Sequence, residues 1–189
     1  MIRLKYPVVL ASASPRRQQL LATLVPEFTV DPADLDEDAL TQKDPWQTAQ
    51  VLSREKALLV FDRHPDSLVI AGDTVVAVDD VQLSKPVDRD DARRMLRLLE
   101  KRTHLVLTGI TLRWPKGIRM FVEKSEVTFR AIGDQELEQF LDTGESMDKA
   151  GAYGFQGIAR TFVTEIRGSE NSVIGLPTEE LSKALTEVV

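Results

Sequence analysis

The stretch from Leu68 to Val78 reads Leu-Val-Ile-Ala-Gly-Asp-Thr-Val-Val-Ala-Val, and it constrains the fold more than any other part of the chain. It is nearly continuous in apolar residues, as expected of a strand buried on both faces. Only Gly72-Asp73-Thr74 interrupts it, so it is one buried strand or two strand segments about a kink. A carboxylate in such a run is costly to bury unless it is paired or bound to a metal. Gly72 beside it would let a ligand or another backbone come close. Asp73 is therefore a candidate functional residue. The plainer reading is a salt-bridged structural aspartate or a sheet-edge turn.

Helical and strand patterns alternate around that run, which points to an α/β or α+β chain. Tyr6 to Ala11 reads as a short buried strand. Ser14-Pro15 then looks like a helix N-cap followed by proline at the first helical position, with Leu20, Leu21 and Leu24 on the apolar face. Asp44-Pro45 repeats that signature and opens a helix to about Phe61, whose stripe is Trp46, Ala49, Leu52, Lys56, Leu59 and Val60. Asp90 to Leu99 is a helix, and Thr103 to Trp114 and Phe121 to Ile132 are strands. Asp134 caps a short helix that Gly144 ends. Phe162 to Ile166 is a strand, and Thr178 caps a C-terminal helix with Leu181, Leu185 and Val188 inward.

Composition narrows the chemistry. The chain has 189 residues, enough for one domain or two closely packed lobes with a real core. Lys and Arg number 24 against 30 Asp and Glu, a net charge of −6, which argues against a protein that wraps nucleic acid. No apolar run reaches the ~18 residues of a membrane span. Met1 to Val9 lacks the apolar region of a signal peptide. Cysteine is absent, which removes disulfides, thiol nucleophiles and thiolate-bound metals and fits a reducing cytoplasm. The only histidines are His64, in a polar surface loop, and His104, at the start of a strand. Both read as structural. Carboxylates, lysines, arginines and an oxygen-ligated metal are left to carry any catalysis.

Three further features could do so. In Ala11-Ser12-Ala13-Ser14-Pro15-Arg16-Arg17 a strand runs into a helix N-terminus bearing two hydroxyls and two guanidiniums. Free N–H groups, the helix dipole and forked arginine donors all suit phosphate. The alternative is a plain cap with solvated arginines. Lys56 lies on an apolar stripe, so it either snorkels to water or reaches into a cleft between lobes. Lys85 precedes Pro86, which gives it a defined extended direction. With Asp73 these lysines make one acid and two cations, a set that suits metal-assisted phosphoryl chemistry. Asp148 to Gly157 carries glycines at 151, 154 and 157 with Tyr153, Phe155 and Gln156 between them. It reads as a tight, exposed loop able to contact a flat ligand, or as a turn with no ligand. It matches neither a dinucleotide fingerprint nor a Walker A loop.

Taken together, these blocks resemble the Maf family of nucleoside triphosphate pyrophosphatases. The blocks are Leu10 to Arg17, Arg54-Glu55-Lys56-Ala57, Ala71 to Val75, Lys85-Pro86-Val87-Asp88, Asp148 to Gly157 and Gly175-Leu176-Pro177. They follow the family's order over almost the whole chain. The resemblance implies an α/β fold, similar to that of inosine triphosphatases, with an elongated mixed sheet flanked by helices and two lobes around a nucleotide cleft. It implies hydrolysis of a nucleoside triphosphate to the monophosphate and pyrophosphate with a divalent cation, Mg²⁺ or Mn²⁺. Asp73 falls on the proton-acceptor position. Ser14, Arg17, Lys56 and Lys85 fall on positions lining the triphosphate. Glu37 falls near an acidic position linked to metal, which it would share with Asp73. A homodimer is also implied.

The family divides by base. Arg16, Thr74 and Gln156 match the Arg, Thr and Gln of the branch selective for dTTP and UTP. The branch acting on 7-methylguanosine triphosphate tends to show Trp, Gln and Glu. Uracil and thymine present acceptor, donor, acceptor along their imide edge, and a glutamine amide offers both a donor and an acceptor to it. Glutamate only accepts, which suits guanine, and Trp could stack on a cationic methylated ring, as Arg16 cannot. Two positions depart from the pattern. Ser84 stands where many relatives have glycine, and Thr108-Gly109-Ile110 where Thr-Ala-Val is common in this branch. A non-catalytic nucleotide sensor acting in septum formation is the rival reading. The intact set of Asp73, Lys56 and Lys85 favours catalysis. A house-cleaning role on modified pyrimidine nucleotides differs only in substrate.

Overall fold

A computed structural model describes residues 4–188. Met1 to Arg3, at the head of the stretch read against a signal peptide, lie outside the described residues. The strands are β1 (Val8–Leu10), β2 (Thr29–Val30), β3 (Leu68–Val78), β4 (Val81–Leu83), β5 (Thr103–Trp114), β6 (Gly117–Phe129) and β7 (Val163–Arg167). The helices are α1 (Pro15–Ala22), α2 (Glu37–Leu40), α3 (Pro45–Phe61), α4 (Arg89–Leu99), α5 (Asp134–Asp142), α6 (Glu170–Ile174) and α7 (Thr178–Thr186). The strands form one mixed seven-stranded sheet in the order β2-β1-β3-β5-β6-β7, with β4 paired to β3. β1 runs parallel to β2 and to β3, whereas β3–β4 and β6–β7 are antiparallel. The chain is thus α/β with a mixed sheet flanked by helices. No helix among the described residues is long and apolar enough to cross a membrane.

The run from Leu68 to Val78 is a single strand without a break, and Thr74 is its only residue not fully buried. The chain divides into two compact units: the residues up to Thr74 with Thr108–Glu123 and those from Gly175, and Val75–Leu107 with Lys124–Ile174. β3, β5 and β6 contribute to both. In the first unit, Leu10, Leu68, Ile70, Ile110 and Leu112 pack with Leu21 of α1 and with Leu181 and Leu185 of α7. A smaller cluster sets Ala57 and Val60 of α3 against Val9, Val69 and Ala71. In the second unit, Met95, Leu96 and Leu99 of α4 and Leu137 and Phe140 of α5 cover Val76, Val127 and Phe129. Arg89 and Arg93 of α4 both reach Glu138 of α5, at 2.6 and 2.7 Å, and hold its carboxyl down at about 2.

Several expected boundaries move. The strand expected over Phe121 to Ile132 begins earlier, at Gly117, and ends at Phe129. The N-cap of α5 is Gly133, which makes no side-chain cap bond, and Asp134 is the first helical residue. Likewise Pro177 is the N-cap of α7, with Thr178 just inside. An acid or hydroxyl near a helix start marks the first turn as readily as the cap itself. Trp46, placed on the buried stripe of α3, is 42% exposed. It sits in the first turn, before the helix packs on the sheet. The glycine-rich stretch expected to be exposed is buried from Gly151 through Phe155, and Gln156 is the first exposed residue after it.

Candidate active site

In the first unit, the chain leaves β1 through Ala11 to Ser14 and enters α1. Ser14 is the N-cap; its Oγ accepts from the Arg17 N–H at 3.4 Å, and Pro15 takes the first helical position. Ser12 Oγ, buried, accepts from the Ser14 N–H at 3.2 Å and from Arg17 Nη1 at 3.3 Å. The Arg17 guanidinium also donates from Nε to the Gly175 carbonyl at 2.9 Å and from Nη2 to Thr74 Oγ1 at 3.0 Å. Thr74 Oγ1 in turn lies 3.0 Å from Thr108 Oγ1. Arg17 is therefore a brace between the first turn of α1, β3 and the Gly175 turn. Burial draws its pKa below the usual arginine value and Asp73 opposes that shift, yet a guanidinium stays charged at neutral pH. Arg16 is half-buried beside it.

Gly72 was expected to admit a ligand or a backbone. A Cβ there would meet Ile110 Cδ1 at 3.0 Å, Arg17 Nε at 3.3 Å and the Gly109 carbonyl oxygen at 3.6 Å, so side chains of this chain and the backbone of β5 come close to it.

One helix turn of α3 supplies the central cation. Lys56 neither snorkels nor hangs free. Its Nζ lies 2.7 Å from Asp73 Oδ1 and 2.7 Å from Glu37 Oε1. Lys56 and Asp73 are 8% and 7% exposed, whereas Glu37, on the single turn of α2, is exposed. The apolar stripe of α3 thus aims an ammonium at the one acid of β3, and the cost of burying each charge is offset by the other. The helix gets close enough because residue 109 has no side chain. A Cβ on Gly109 would sit 2.1 Å from the Ala49 carbonyl oxygen. Ser53 on the same helix meets Thr111 of β5, Oγ to Oγ1, at 3.1 Å. In the sequence, residues 108–110 stand out only as a departure from the family pattern; the close approach of α3 is what glycine permits there.

Lys85 and Gln156 belong to the second unit. Lys85 is exposed after β4, and the carbonyl of Ser84 before it accepts the Gly151 N–H at 3.1 Å. Gln156 occupies the third position of a tight turn closed by the Gly157 N–H on the Gly154 carbonyl at 3.1 Å. Phe155 before it is buried, with the Arg160 guanidinium 5.1 Å from its ring centroid. Tyr153 Oη pairs with His104 Nε2 at 2.7 Å, and both rings pack edge-on against Phe129. His104 is thus a core residue, and His64 pairs with Asp31 at 2.8 Å. Neither joins the acids and lysines.

Among the described residues no group of three or more His, Asp and Glu side chains is gathered to hold a metal. Glu37 and Asp73, however, meet at one ammonium. Two hard carboxylates at one place match the donor type that usually holds Mg²⁺, one or two carboxylates plus substrate phosphates and water. The residues present fit such an ion.

The chain belongs to the family of Maf-like proteins, whose pattern it matches over residues 7–188. It is 44% identical over 181 residues to the dTTP/UTP pyrophosphatase of Geobacillus sp. (strain WCH70), covering 96% of each chain. It is 45% identical over 170 residues to the dTTP/UTP pyrophosphatase of Koribacter versatilis (strain Ellin345), covering 90% of this chain and 88% of that one. Among solved structures, a HAM1 protein from Coxiella burnetii aligns with a TM-score of 0.48 at 14% identity, over 96% of this chain and 99% of that one.

Proposed function

We propose that this protein is a nucleoside triphosphate pyrophosphatase that hydrolyses dTTP and UTP to the monophosphate and pyrophosphate. The observation that carries the reading is the buried Lys56–Asp73 pair, with Glu37 on the same ammonium. It occurs in a chain whose full-length relatives bear the name dTTP/UTP pyrophosphatase.

In this reading water attacks the α-phosphorus, the bond to the bridging oxygen breaks, and pyrophosphate leaves. Asp73 receives the proton of the water. Its Oδ1 is held by Lys56, and the proton would go to the other carboxylate oxygen. A carboxylate is a weak base at neutral pH, so positioning and electrostatics must supply much of the rate. Lys56 and Lys85 stabilise charge gathering on the phosphates. The first turn of α1, capped by Ser14 and braced by Arg17, offers its N–H groups to phosphate oxygens. Glu37 and Asp73 would hold a divalent cation, Mg²⁺ or Mn²⁺, which when bound neutralises phosphate charge. Arg16, Thr74 and Gln156 read the pyrimidine, with the Gln156 amide on its imide edge. The proposal extends to a homodimer in the cytoplasm, on the family resemblance and the cysteine-free composition.

The test is pyrophosphate release by the purified protein with Mg²⁺ or Mn²⁺ over UTP, dTTP, CTP, GTP, ATP and 7-methyl-GTP. Turnover of UTP and dTTP above the rest is expected. Preference for 7-methyl-GTP would overturn the base assignment but not the chemistry. Binding without turnover of any member would favour the nucleotide sensor.

A further inference from the structure

We infer that Glu145 is a positioning residue for base selection, holding the turn that presents Gln156. This rests on the reading of Gln156 as the base-reading side chain.

Every residue involved belongs to the second unit. Glu145 follows α5 and is tied through three of its groups. Its N–H donates to Thr143 Oγ1 at 3.2 Å, its carbonyl accepts from Lys149 Nζ at 2.6 Å, and its Oε2 accepts the Ile158 N–H at 3.1 Å. That last bond fastens the chain two residues beyond Gln156 and opens the 3₁₀ turn Ile158–Phe162. The carboxylate also fills the place a side chain on Gly157 would need, since a Cβ there would lie 1.7 Å from Glu145 Oε1. On the other side the turn is fixed by the Tyr153–His104 hydrogen bond and by buried Phe155. Gln156 is exposed between two anchored flanks. Glycine at 157 and a carboxylate at 145 are therefore one device, twelve residues apart in the chain.

Chemistry explains why such a turn needs holding. A glutamine amide carries its donor and acceptor side by side, so turned over it suits cytosine as well as uracil. Discrimination between the two requires that the amide be held in one orientation, and a turn free to shift would let the side chain settle in either. Rigidity in the turn is then part of the specificity, not only of the fold.

The experiment measures kcat and KM for UTP and CTP with the full chain and Mg²⁺, for the wild type, Gln156→Ala, Glu145→Ala, Glu145→Gln and the double variant Glu145→Ala/Gln156→Ala. Unfolding is followed alongside. Glu145→Ala should cut the UTP-over-CTP ratio of kcat/KM by about tenfold, mostly through KM for UTP. Glu145→Gln keeps an acceptor for the Ile158 N–H and should restore part of the ratio. In the Gln156→Ala background the Glu145→Ala effect on the ratio should vanish, as expected for residues acting as a unit. If Gln156→Ala erodes the ratio while folded Glu145→Ala keeps it, or if the two effects simply add, the positioning role is wrong and the base reading stands. If Gln156→Ala itself leaves the ratio intact, the base reading fails first. Should Glu145→Ala not fold, the near-isosteric Glu145→Gln carries the same comparison, with a smaller loss supporting the role and an unchanged ratio overturning it.

Discussion

Lys56 and Asp73 form an ion pair at 2.7 Å with each side chain only 10% exposed. Removing either partner leaves the other buried, but the two removals differ. Asp73→Asn leaves Lys56 with Glu37, so the stability loss should stay near about 1 kcal/mol. Lys56→Met leaves Asp73 without its cation and should cost more, about 3 kcal/mol. Both should lower turnover by about 100-fold or more, the contribution of a positioned proton acceptor. Urea denaturation and pyrophosphate release measure the two effects, and equilibrium dialysis should find UTP still bound by Asp73→Asn. Full turnover in Asp73→Asn would remove it as the base.

Glu37 reaches the same ammonium from the surface, with its side chain 46% exposed. An exposed ion pair contributes little, so Glu37→Gln should change unfolding free energy by under about 1 kcal/mol. Its role in holding a cation should show elsewhere. The Mg²⁺ concentration for half-maximal rate should rise about tenfold or more, while saturating Mg²⁺ restores most of the rate. An unchanged Mg²⁺ dependence would leave Glu37 as a mere neighbour of Lys56.

Gly109 sets how closely α3 lies on β5, and α3 carries Lys56. A methyl group there meets the Ala49 carbonyl oxygen at 2.1 Å, a backbone atom that cannot swing aside. Gly109→Ala should therefore cost about 1–3 kcal/mol. It should also reduce kcat, because Lys56 moves with its helix. A stable Gly109→Ala protein with full activity would show that α3 can shift without disturbing the Lys56–Asp73 contact.

The parts legible in the sequence are those fixed by local pattern. Proline after Ser14 and after Asp44 marked two helix starts to the residue. The apolar run around Asp73 marked the central buried strand. Lys56 stood out because a cation on an apolar stripe needs a partner, and the partner is Asp73. What stayed hidden depends on contacts between segments far apart in the chain. Nothing near Arg17 foretells that its guanidinium spends itself on Gly175, Thr74 and Ser12. Glu145 has no periodic or motif signal and is defined only by Gly157 and Ile158 folding back onto it. Burial of the glycine-rich stretch is hidden in the sequence for a related reason. Small residues mark turns in sequence, but they also let a turn pack inside, as the hydrogen-bonded Tyr153 does against His104.

His104 gives the protein an acid-sensitive element. Its ring is 1% exposed, and burial lowers its pKa from 6.5 to about 4. Below about pH 6.5 the unfolded chain takes up a proton at this residue that the native state refuses. Stability from the neutral, buried ring is therefore full above that pH, declines as pH falls, and levels off below about 4, where the native ring is protonated too. The gap corresponds to about 3 kcal/mol at most. His104→Gln keeps a group able to bond Tyr153 Oη but does not titrate. Wild type and variant should thus differ in the pH slope of their unfolding free energies. Between pH 7.5 and about 4.5, wild type should lose about 2 kcal/mol more than the variant in urea melts. Parallel slopes would show that His104 does not stay neutral in the folded state.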